Sequence, residues 1–207
     1  SADINQDGFI DIFITGNNEF NNYPNSAGNL LLLNNKGVLK NTPEAFIDSL
    51  PKGIIKDACF TDLNSDGYPE LCFLGHWMKP YVCWNNEGKL QLAQTLGPSS
   101  GWWNSITPAD LDGDGKTDLI CGNMGLNNKY HPSEEKPLKL YQSDFDNNQT
   151  NDIVMAKSFN NNFVPLRGRE CSSEQMPFIK EKFNDYESFA NATIEEVLGE
   201  KINDAEF

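Results

Sequence analysis

Asp110-Leu111-Asp112-Gly113-Asp114-Gly115-Lys116-Thr117-Asp118 runs straight into Leu119-Ile120-Cys121. Aspartates at positions 1, 3, 5 and 9 of a short stretch point side-chain oxygens into one small volume. Gly at position 6 permits the sharp reversal that such a loop needs. The apolar run behind it reads as a buried strand. One copy of this pattern is a turn; repetition makes it an architecture.

The frame recurs three more times. Asp3, Asn5, Asp7 and Asp11 occupy the four acidic or amide positions around Gly8. Asp62, Asn64, Asp66 and Glu70 do so around Gly67. Asp144, Asp146, Asn148 and Asp152 form the last copy, where Gln149 replaces the glycine. Each copy precedes an apolar run: Ile12 to Thr15, Leu71 to Leu74, Leu119 to Cys121 and Ile153 to Ala156. A second element also repeats, Leu31-Leu32-Leu33-Asn34-Asn35-Lys36-Gly37 against Val82-Cys83-Trp84-Asn85-Asn86-Glu87-Gly88, each a strand entering an Asn-rich turn closed by Gly. The loops start 59, 48 and 34 residues apart. Units of roughly 40–50 residues with several short strands each are the mark of propeller blades. The expectation is an all-β chain of about three to four blades over 1–168.

Past about Arg167 the pattern changes. Phe178, Phe183, Phe189 and Val197 fall at helical spacings among Lys, Glu and Ala, and Thr193-Ile194-Glu195-Glu196 is a capping-box sequence with Gly199 as a stop. A small helical insert over 169–200, covering a sheet edge, and a tail over 201–207 are predicted.

Calcium is the cation these loops suit. It takes six to eight oxygens, and Asp or Asn at alternate positions supplies them, with the backbone carbonyls of Phe9, Tyr68, Lys116 and Thr150 at position 7 and the position-9 acid closing the shell. Thirteen carboxylates occupy the four loops, and their mutual repulsion couples folding to metal. The formal charge of −14 disfavours a phosphate backbone, and no nucleic acid is expected as a partner. Four ions would bring that charge to about −6. An EF-hand is excluded, because its bidentate Glu at position 12 is replaced by Ile14, Phe73, Cys121 and Met155. Three to four Ca²⁺ ions are expected.

The pattern Asp-x-Asp/Asn-x-Asp-Gly-x-x-Asp followed by a strand resembles the FG-GAP and VCBS repeats of integrin-α-type calcium propellers, over Asp3 to Arg167. The segments Gly101-Trp102-Trp103-Asn104-Ser105, Ala109 to Asp118 and Cys121-Gly122-Asn123-Met124-Gly125-Leu126-Asn127, with Met176-Pro177-Phe178 in the helical part, are similar to VCBS proteins of Bacteroidota related to the cartilage acidic protein and ASPIC/UnbV group. The resemblance implies export to the cell surface, periplasm or exterior, metal between the first and second strands of each blade, and adhesion or glycan handling. Such rings carry about seven blades. A chain with three complete units that opens on a loop is therefore expected as an excised, open array whose edge strands can pair with a second copy.

No stretch reaches the roughly 18 apolar residues of a membrane span. His76 and His131 are read as solvated loop residues, and Ser99, Ser100, Ser172, Ser173 and Cys171 lack a catalytic setting, so no enzyme is expected. Five cysteines, an odd number, lie mostly in apolar runs as small hydrophobes; Cys72 and Cys83 flank a turn and are candidates to face each other. Trp77, Trp102 and Tyr130 are the aromatic candidates for an unidentified protein or glycan ligand. The two functional expectations are a calcium-stabilised adhesion or ligand-binding module and an accessory domain of a carbohydrate-active enzyme.

Overall fold

A computed structural model describes residues 1–42, 44–203 and 205. The expected tail over 201–207 lies partly outside them. The chain divides into two compact units, Ser1–Phe20 with Asn25–Gly125, and Asn21–Pro24 with Leu126–Phe207.

In the first unit every apolar run behind an acidic loop is a strand. β1 (Ile12–Thr15) follows the first loop and pairs antiparallel with β2 (Asn29–Asn35), which pairs with β3 (Val38–Asn41). A short helix, α1 (Glu44–Asp48), has no forewarning in the sequence. Next come β4 (Ile54–Thr61), β5 (Glu70–Met78) and β6 (Tyr81–Cys83) as an antiparallel meander. The two-residue strands β7 (Asn85–Asn86) and β8 (Lys89–Leu90) pair with each other, and β9 (Gln94–Thr95) pairs with β6. The third blade is β10 (Gly101–Ala109) with β11 (Asp118–Asn123).

The second blade explains why Leu71 to Leu74 do not alternate with polar residues. Strand residues point to opposite faces in turn, and here both faces are covered. Leu71 and Phe73 bury themselves with Ile55, Met78 and Cys83 against Phe13 of β1 and Phe46 of α1. Cys72, Leu74 and Val82 bury themselves on the other face with Ile106 and Trp103 of β10. The middle blade is thus stacked between its neighbours, as a propeller requires. Gly75 is fixed by this packing: any Cβ there would run into the backbone carbonyl of Ile54 on β4.

His76 and Trp77 belong to β5, not to a turn. The strand runs on to Met78 because its far end pairs with β10, Met78 opposite Gly101 and His76 opposite Trp102. The intervening Trp77 is the extra residue of a bulge, with φ of 63°. Trp102 and Trp103 likewise lie within β10.

In the second unit β12 (Leu138–Ser143), β13 (Asp152–Phe159) and β14 (Asn162–Pro165) form the fourth sheet. Helices α2 (Arg169–Gln175), α3 (Phe178–Lys182), α4 (Tyr186–Ala190) and α5 (Ile194–Leu198) follow, then a 3-10 turn over Gly199–Ile202. They cover the face of the sheet rather than its edge: Tyr141, Val154 and Ala156 from the strands meet Met176, Ile179, Phe189, Ile194 and Val197 from the helices in one core. Thr193 and Glu196 make both bonds of the expected capping box, and Gly199 ends α5. The chain is a set of antiparallel β blades with a small helical part, and among the described residues no sheet closes into a barrel.

Candidate metal centres

The four acidic loops share one backbone. Position 6 is left-handed in all of them, at Gly8, Gly67, Gly115 and Gln149, and so is position 4, at Gln6, Ser65, Gly113 and Asn147. The left-handed state of Gln149 costs more than it does for glycine, yet the fourth loop keeps the shape of the others.

What holds that shape is a repeated set of N–H groups donating to side-chain carboxylate and amide oxygens. The position-1 carboxylate accepts from the backbone of position 6: Gly8 to Asp3 at 2.8 Å, Gly67 to Asp62 at 2.8 Å, Gly115 to Asp110 at 3.0 Å and Gln149 to Asp144 at 2.9 Å. The position-3 side-chain oxygen accepts from position 5, so Asn5, Asn64, Asp112 and Asp146 bind the N–H groups of Asp7, Asp66, Asp114 and Asn148. Position 5 accepts in turn from Phe9, Tyr68, Lys116 and Thr150. The position-9 acid closes each loop on the N–H of position 2: Ile4 to Asp11 at 3.0 Å, Leu63 to Glu70 at 2.7 Å, Leu111 to Asp118 at 3.1 Å and Phe145 to Asp152 at 3.0 Å.

These bonds gather like charges. Ligand oxygens of Asp110, Asp112 and Asp118 lie within 4.8 Å of one another, as do those of Asp144, Asp146 and Asp152. In the first two loops Asn5 and Asn64 stand at position 3 and supply neutral amide oxygens instead. Lys116 puts its ammonium 3.6 Å from the Asp114 carboxylate in an exposed pair, so only its backbone faces the loop's business.

Asp11, Glu70 and Asp152 are buried, whereas Asp118 is exposed. Glu70 is the telling case, because its Oε1 is shut off from solvent and has no hydrogen-bond partner. Burial pushes its carboxyl up from the ordinary glutamate range, opposed by the N–H groups of Leu63 and Asn85 and reinforced by the Asp66 charge. Burial pushes Asp152 up likewise, against the amide of Gln175. A buried carboxylate held by little more than two backbone N–H groups is costly to ionise, and a hard cation is a partner that an acceptor-only group accommodates. The donor set is all oxygen, which fits Ca²⁺ and not a soft metal.

The braces behind the loops escaped the sequence reading. Asn34 donates its amide to the carbonyl of Ile10, and its backbone N–H to Asp11 Oδ1 at 2.7 Å. Asn85 repeats this on the second loop, donating to Pro69 at 3.0 Å and also to Ile4 at 2.8 Å. The repeated Asn-Asn-x-Gly turn is therefore a buttress for position 8 of each loop, and its repetition was the available signal. In the fourth repeat Gln175 of α2 takes over, donating to Asp152 Oδ1 at 3.2 Å and to Ile153. Lys201 clasps the same loop through the carbonyls of Asp144 and Phe145 and the side chain of Asn147. No local pattern announces either residue.

Asn85→Ala strands two carbonyls and the N–H of Gly88, which Asn85 accepts at 2.8 Å. The expected loss is about 2–4 kcal/mol of folding stability, with or without metal. The midpoint of urea unfolding measures it; a change below about 0.5 kcal/mol contradicts the brace.

Of the aromatic candidates, Trp77 and Trp102 meet edge to face with centroids 5.4 Å apart, beside the 3.1 Å contact of His76 Nε2 with Asn104. Tyr130 lies in the second unit, with Lys129 Nζ over its ring at 5.2 Å. Cys72 faces Cys59 across the β4–β5 ladder, not Cys83, and all five cysteines are free.

A search of the curated proteins returned no match, and neither did a search of the solved structures. A family model does match, the FG-GAP-like repeat, over residues 3–73 and 62–121. Those bounds begin at the first acidic loop, span the second and reach the end of the strand core behind the third. The repeat seen in residues, backbone and hydrogen bonds is the repeat the model describes, and the chain belongs to the FG-GAP-like repeat family.

Proposed function

We propose that the chain is a calcium-binding, non-enzymatic propeller module of an exported or cell-surface protein, serving adhesion or the binding of a protein or glycan ligand. The observation that carries the metal is the convergence of three carboxylates, their ligand oxygens within 4.8 Å of one another, in each of the third and fourth loops, on a backbone that the first two loops share. Asp3, Asn5, Asp7 and Asp11, with their counterparts in the other loops, would hold the ion, and the carbonyls of Phe9, Tyr68, Lys116 and Thr150 would add to the shell. The ion would supply positive charge that neutralises crowded acids and locks each first strand to its second.

The family supports the rest: repeats of this kind are generally non-catalytic and typical of extracellular or surface proteins. The paired Trp77 and Trp102 rings support a ligand role, since aromatic faces suit sugar rings and protein hot spots.

Isothermal titration of metal-stripped chain with Ca²⁺ tests the reading. Three to four sites are expected, the weakest at the fourth loop, where Asn148 is neutral and the Lys201 ammonium lies alongside. Absence of binding heat at millimolar Ca²⁺ would refute it. A glycan array with metal-loaded chain separates sugar from protein ligands.

A further inference from the structure

Four of the five cysteines fall in the first unit, and two of them are placed as a pair. Cys59 of β4 and Cys72 of β5 are direct cross-strand partners. Directly opposed residues of an antiparallel ladder have Cα atoms about 4.5–5.5 Å apart, inside the roughly 4.4–6.8 Å span of disulfides. Cys83 is excluded by register, since it sits opposite Leu71 and packs with Phe73 on the other face. Cys121 shares the face of Cys59 but lies on β11, opposite Ile106.

The two thiols differ in ways that suit sequential chemistry. Cys59 is half-buried, while Cys72 is fully buried. The adjacent Cys72 thiol holds Cys59 below the ordinary thiol range, against the opposing effect of burial. Burial alone pushes the Cys83 thiol up to about 12.

We propose that Cys59 and Cys72 form a dithiol–disulfide pair, oxidised by exchange with a small-molecule or protein disulfide. Cys59 thiolate attacks one sulfur of the incoming disulfide, forming a mixed disulfide and releasing the first thiolate. Cys72 then gives its proton to water and its sulfur attacks the Cys59 sulfur, forming the cross-strand bond and releasing the second thiolate. The two protein thiols lose two electrons and two protons, and the incoming disulfide is reduced to two thiols. The bond would tie β4 to β5 just outside Asp62 and Glu70, so that the redox state clamps the second acidic loop. None of this chemistry requires the calcium reading.

The test equilibrates the purified chain with glutathione buffers running from reduced to oxidised, then denatures it, alkylates free thiols and maps the peptides by mass. Cys59 and Cys72 should lose the label in step and appear in one linked peptide, while Cys83 and Cys121 stay alkylated; exposed Cys171 takes up only glutathione or label. In Cys72→Ser, Cys59 should stop at the glutathione adduct. Both thiols fully alkylated after the most oxidising buffer, or Cys59 linked to Cys121, overturns the proposal. The wild-type map decides the matter even where the serine variant does not fold.

Discussion

Stripping Ca²⁺ from the chain is expected to lower the melting temperature of the first unit by about 15 °C or more, and adding it back restores the loss. The size follows from linkage. An ion at about 100 times its dissociation constant stabilises the native state by about 2.7 kcal/mol per site. Three of the four loops lie in the first unit, and in a unit of this size each kcal/mol is worth roughly 2–4 °C. The physical origin is the gathering of acids by backbone N–H groups, seen where Asp110, Asp112 and Asp118 converge within 4.8 Å. Differential scanning calorimetry in Ca²⁺ and in chelator measures the shift, with Mg²⁺ as a control for ionic strength. Identical melting in both buffers would mean that the loops are stable without metal.

The acidic loops were legible in the sequence because their chemistry is local: oxygen donors at alternate positions, a left-handed residue at position 6 and a strand behind. The strands at Ile12, Leu71, Leu119 and Ile153 were legible for the same reason, as was the capping box at Thr193. What stayed hidden depends on partners far along the chain. Asn85 reaches back 81 residues to Ile4, and Lys201 reaches 57 residues to Asp144; a single sequence offers no sign of such a match. His76 and Trp77 looked like a turn because Gly75 precedes them, yet that glycine serves a close approach to Ile54. Cys72 and Cys83, close along the chain, were only candidates to face each other, and a one-residue difference in register puts them on opposite faces.

Glu70→Gln is expected to reverse the effect of metal on stability. In chelator the variant should be more stable than wild type by about 1–2 kcal/mol, because a buried carboxylate that burial makes costly to ionise is replaced by a neutral amide. The sign follows from the direction of the shift. Burial raises the folded-state carboxyl above its ordinary value, so above that raised value ionisation of Glu70 costs folding free energy, and the glutamine removes the cost. The Leu63 N–H keeps an acceptor in the amide oxygen, and the repulsion from the Asp66 charge is removed. In saturating Ca²⁺ the order inverts. The second loop loses one formal charge and the carboxylate that would help hold the ion, and the affinity of that site should fall by about 10–100-fold, of the order seen when a supporting group is lost. Melting curves of both proteins in chelator and in Ca²⁺ should therefore cross. Destabilisation of the variant by the same amount in both buffers would mean that Glu70 serves packing alone, and that its unpaired oxygen is not waiting for a cation.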